Sequence, residues 1–105
     1  MSAVQLSDKE LTQVISAIRK LPQVERAVIF GSRAKGTSKR GSDVDIALFG
    51  DAVRRETVVE LSNCLNEETV LPYSFDILDF AAIDNPDLIR HIERVGVLIY
   101  SKSDA

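Results

Sequence analysis

The feature that most restricts this chain is a short apolar run, Ala27-Val28-Ile29-Phe30, cut off by Gly31-Ser32. A continuous apolar stretch of this length, bounded by turn residues, reads as a strand buried on both faces. A half-exposed strand would alternate apolar and polar residues instead. The strand extends over about Val24 to Phe30, and its two buried faces call for a layered arrangement with helices packed on a sheet.

The rest of the sequence provides those layers. Ser7-Asp8-Lys9-Glu10 is a capping box, with Leu6 and Leu11 at staple positions. Leu11, Val14, Ile15 and Ile18 recur at helical spacing, and Pro22 closes this first helix near Leu21. After the first strand comes a loop rich in Gly, Ser and basic residues. A second strand follows over Asp43–Leu48, ended by Gly50. Asp51 is placed to cap a helix of roughly 15 residues whose buried stripe is Val58, Leu61 and Leu65. A third strand covers about Tyr73 to Phe80. Asn85-Pro86 opens a last helix with inner face Leu88, Ile89, Ile92 and Val95. Gly96 suits a left-handed helix end, and Val97-Leu98-Ile99-Tyr100 is the final strand. The expected fold class is α/β (α+β): a small mixed sheet of about four strands with three helices, forming one domain over residues 1–105.

Composition narrows the function classes. The chain has 105 residues, 13 basic and 16 acidic, for a net charge of −3. Bulk nucleic-acid binders carry a strong basic excess, so no stable nucleic-acid complex is expected. A single cysteine, Cys64, rules out an internal disulfide framework and a cysteine metal cluster, and reads as a small, partly buried apolar residue. No apolar run approaches the roughly 20 residues that span a bilayer, and the N-terminus has no signal pattern, so a cytoplasmic address is expected.

The chemistry concentrates between the first two strands. Gly31 lacks a Cβ and lets a ligand approach the backbone, and a helical turn starting at Ser32 would aim free amides at an anion. Arg33, Lys35, Lys39 and Arg40 follow, and together they make a phosphate cradle. Asp43 and Asp45 come next. Strand residues two apart share a face, so these carboxylates project together while Val44, Ile46 and Leu48 face the other way. Clustered hard oxygen ligands suit Mg²⁺ completed by water and phosphates. Asp76, between Phe75 and Ile77, is a third strand carboxylate, and a charge among apolar strand neighbours is expensive unless paired or metal-bound. Three such carboxylates beside a basic Gly-Ser loop fit two-metal phosphoryl transfer. Asp79 alternates to the opposite face and reads as a cap of the next turn. His91 lies off the apolar helix face and reads as a surface residue. Tyr73 and Tyr100 read as core-edge residues.

Gly31-Ser32, ten residues, then Asp43-Val44-Asp45 resembles the signature of the DNA polymerase beta-type nucleotidyltransferase superfamily. The fuller string GSRAKGTSKRGSDVDIALFG resembles the minimal nucleotidyltransferase, or MntA-like, group. The resemblance implies that Gly31, Ser32, Arg33 and Ser42 serve the nucleotide phosphates. It implies that Asp43, Asp45 and Asp76 hold two Mg²⁺ ions and are catalytic, with Asp76 also favouring deprotonation of the attacking hydroxyl. It further implies ATP as substrate and a small helical HEPN-type toxin as partner, with the chain acting as antitoxin by moving AMP onto a toxin tyrosine. The alternative is a non-catalytic antitoxin that neutralises its partner by contact. A homo- or hetero-oligomer is compatible with either.

Overall fold

The structure, a computed structural model, describes residues 6–30, 44–69 and 73–102. Helix α1 spans Asp8–Arg19, and strands β1 and β2 span Arg26–Phe30 and Val44–Phe49. Helix α2 covers Arg55–Asn63 and runs on as a π-helical turn over Cys64–Glu68. Strand β3 (Phe75–Asp79) leads through a short 3₁₀ turn at Phe80–Ala82 to helix α3 (Pro86–Val95) and strand β4 (Val97–Ser101). The sheet order is β3-β2-β1-β4. β1 pairs antiparallel with both β2 and β4, while β2 and β3 are parallel and joined through α2. The described residues thus form the mixed four-stranded sheet with three helices that the sequence implies.

The sheet is covered on both faces. Ala27, Ile29, Val44, Ile46, Leu48, Phe75 and Ile77 point to one side, where Val14 and Ile18 of α1 and Leu61 of α2 complete the main core. Phe30 and Ala47 point to the other side and meet Ile92 of α3, with Val28, Phe49, Leu78, Leu88 and Val95 around them. The apolar run of β1 is therefore continuous because both its neighbours are protein. β4 carries a bulge opposite Ala27/Val28, so Tyr100 pairs with Ala27 on the main-core side and Leu98 pairs with Val28 on the α3 side.

Local signals explain the element ends. The Ser7 hydroxyl accepts from the Glu10 amide (3.1 Å), and Glu10 Oε1 accepts from the Ser7 amide (2.9 Å), which completes the capping box. The other Glu10 oxygen accepts from the Tyr73 hydroxyl (3.0 Å), tying the helix start to the segment before β3. Asn85 caps α3 by accepting from the Asp87 amide (2.9 Å), with Pro86 at the first helical position.

Three expectations change. Asp51 does not cap α2: the chain first turns at Gly50, whose φ is +152°, and the Val53 amide donates to the Gly50 carbonyl. This turn carries Val53 into the core and delays the helix to Arg55, where the Thr57 hydroxyl accepts from the Arg54 amide. The third strand ends at Asp79 rather than Phe80, because the Asp79 carboxylate accepts from the Ala81 amide (3.1 Å) and starts the 3₁₀ turn. Gly96 is not left-handed: its φ of −66° and ψ of 141° are open to any residue.

Close approach is what requires glycine at position 96. A Cβ there would lie 2.4 Å from both the Ile92 carbonyl oxygen and Val28 Cγ1. Gly96→Ala is expected to destabilise the fold by about 1–3 kcal/mol through overpacking between α3 and β1. Chemical denaturation checks this, and an unchanged midpoint would show that the junction relaxes freely.

Candidate active site

The sheet register builds the site. Phe30 of β1 stands opposite Asp45 of β2, and Asp45 stands opposite Asp76 of β3. Directly paired residues on adjacent strands share a face, so Phe30, Asp45 and Asp76 form one row across three strands. This is the α3 face, because Ala47 and Leu78, two residues further along, pack in the α3-side cluster. Val44 and Ile46, on either side of Asp45, are fully buried in the main core, as alternation requires.

The row sits where β1 ends and where β2 and β3 begin. Its β1 end is apolar: Phe30 is 5% exposed and packs in the α3-side cluster. Asp45 is half-buried and Asp76 is exposed. Asp76 therefore differs from expectation. Phe75 and Ile77 point into the core, and the carboxylate between them points out to water.

Two strand carboxylates in direct register are a hard oxygen donor set. Such a set of hard oxygens suits a small divalent cation completed by water and phosphate oxygens. The donor chemistry thus fits Mg²⁺. Among the described residues no third His, Cys, Asp or Glu joins them as a metal-binding group. Gly31, Ser32, Arg33, Ser42 and Asp43, together with Lys35, Lys39 and Arg40, lie outside the described residues. Asp79 serves as the cap of the following turn.

His91 is the residue whose surroundings the sequence obscured. Its ring is half-buried and meets Phe30 edge-on, with centroids 6.3 Å apart, beside the end of the carboxylate row. The helical pattern predicts a surface residue off the apolar face, whereas the structure half-buries it against the core residue Phe30. That flank of α3 overhangs the end of β1, a consequence of how the helix crosses the sheet.

The polymerase beta nucleotidyltransferase family model matches residues 12–105. The chain belongs to that family. The Haemophilus influenzae protein named "Probable protein adenylyltransferase MntA" is 31% identical over 101 residues, which cover 92% of this chain and 84% of that protein. Among solved structures, a toxin–antitoxin crystal structure with AMP-PNP superposes with a TM-score of 0.74 at 24% identity, over 90% of this chain and 76% of that one. A tri-AMPylated Shewanella oneidensis HEPN toxin in complex with its MNT antitoxin matches with a TM-score of 0.67 at 19% identity, over 90% and 71% of the two chains. The fold is therefore that of the nucleotidyltransferases, and the substrate class is a nucleotide. No helix among the described residues is long and apolar enough to cross a membrane.

Proposed function

We propose that this nucleotidyltransferase moves AMP from ATP onto a tyrosine hydroxyl of a small helical HEPN-type partner and so acts as its antitoxin, with residues 1–105 working as one catalytic domain. The observation that carries the reading is the direct register of Asp45 with Asp76 on the α3 side of the sheet, on the strands beside β1, after which Gly31-Ser32 follow in sequence. The similarity to MntA supports a protein acceptor.

Asp43, Asp45 and Asp76 would hold Mg²⁺, whose chemistry here is neutralisation of phosphate charge and acidification of a bound hydroxyl. The chain's own groups orient the reactants. Gly31 and Ser32 seat the β and γ phosphates by close backbone approach, and Arg33 and Ser42 add donors as charge builds on the leaving pyrophosphate. Phe30 closes the β1 end of the row with an apolar side chain. Asp76, which is exposed, would favour loss of the acceptor proton. The bond that forms joins the acceptor oxygen to the α-phosphorus, the bond that breaks releases pyrophosphate, and the hydroxyl proton leaves to the solvent side.

The test is co-expression with the candidate helical partner and ATP labelled at the α-phosphate. The expected result is covalent label on the partner, absent when Tyr in the acceptor is replaced by Phe. Full neutralisation of the partner with no label would leave contact alone as the mechanism.

A further inference from the structure

Asp76 lies on β3, which among the described residues is an edge strand with β2 on one side only. A strand directs the N–H and C=O of successive residues to alternate edges. Ser74 uses its carbonyl towards β2, where it accepts from the Val44 amide (2.8 Å). The amide and carbonyl of Phe75 therefore point outward, where no strand lies among the described residues. Asn66 meets both. Its Oδ1 accepts from the Phe75 amide (2.8 Å), and its Nδ2 donates to the Phe75 carbonyl (3.1 Å). A side-chain amide thus takes the place of a neighbouring peptide at one position of the edge.

The position matters because the Phe75 carbonyl belongs to the peptide plane that joins Phe75 to Asp76. Fixing that plane fixes the backbone from which the Asp76 carboxylate projects. Asn66 is itself held: Nδ2 also donates to Ser62 Oγ (3.1 Å) one turn earlier. It sits in the π-helical turn Cys64–Glu68, where the helix widens after α2. Such turns occur mostly as local insertions and frequently at functional sites. Here Leu65 is buried in the main core and anchors the turn, while the adjacent Asn66 reaches the strand.

We infer that Asn66 is a positioning residue for nucleotidyl transfer, which clamps the start of β3 through both backbone groups of Phe75 and thereby aims Asp76 at the acceptor side of the site. The inference deepens the proposed function and rests on the reading of Asp76 as a metal-holding carboxylate. Misplacement of a reacting group by about 1 Å can cost on the order of 10²-fold in rate, so a hydrogen-bonded clamp one residue away has leverage.

A double-mutant cycle tests it, with Asn66→Ala and Asp76→Ala made singly and together in the full chain. Single-turnover transfer is measured at a temperature where all four proteins are folded, alongside Mn²⁺ affinity in the presence of a non-hydrolysable ATP analogue. Asn66→Ala is expected to slow transfer by about tenfold or more and to weaken Mn²⁺ binding, yet to change either by less than about twofold once Asp76 is absent. Asn66→Asp, which keeps the acceptor for the Phe75 amide but loses the donor to its carbonyl, should fall between. A fully folded Asn66→Ala with parental rate and affinity would overturn the inference. Equal losses with and without Asp76 would also overturn it, because Asn66 would then act elsewhere. If Asp76→Ala alone leaves rate and affinity unchanged, the assignment of Asp76 falls first and takes the role of Asn66 with it.

Discussion

Asp76→Ala is expected to cut AMP transfer by about 10²–10⁴-fold, the range typical of groups that position a reacting hydroxyl and assist its deprotonation. Nucleotide binding should persist, because in the proposed function the phosphates fall to Gly31 and Ser32 and the nucleotide-associated metal mainly to Asp43 and Asp45. The fold should persist as well. Asp76 is exposed, with its side chain pointing away from the core that Phe75 and Ile77 enter. Substitutions of this kind stay within about 0.5 kcal/mol. Thermal melts and single-turnover transfer to the partner, measured on the same preparations, check both halves. A variant that loses activity only in proportion to unfolding would make Asp76 a structural residue.

The double substitution Asp43→Asn, Asp45→Asn is expected to abolish transfer and to weaken Mg²⁺-dependent nucleotide binding together, in contrast to the separation expected at position 76. Asparagine keeps the shape of each side chain and one carbonyl oxygen, so strand β2 should retain its register with Phe30 and Asp76. The asparagine variant should therefore melt no more than a few degrees from the parent without metal. Calorimetric titration with ATP, with and without Mg²⁺, gives the binding half. Transfer at the parental rate would exclude these carboxylates as metal ligands.

Element identity was legible because each element carries a local cause. The capping box at Ser7 and Glu10, the Asn85-Pro86 start of α3 and the apolar run of β1 each act over a few residues, and each element formed where its signal stood. Alternation likewise placed Val44, Ile46 and Leu48 opposite Asp45, and Asp79 opposite Asp76. Boundaries that depend on partners were less legible. Asp51 has the chemistry of a cap, yet burial of Val53 drew the chain through a turn first. Gly96 has the chemistry of a left-handed helix end, yet contact with Val28 and the Ile92 carbonyl is what requires it.

Which side chains carry chemistry, and which face of their strand they occupy, can be read along the chain, since residue type and a period of two are local properties. Which of them meet depends on the packing of distant elements. Asp45 and Asp76 are 31 positions apart, and their pairing follows from the parallel register of β2 with β3, which is set when α2 packs across the sheet and buries Leu61 and Leu65. The exposure of Asp76, the overhang of His91 at Phe30 and the clamp from Asn66 to Phe75 have the same origin. Each depends on how two elements distant in sequence cross, and no local pattern encodes a crossing.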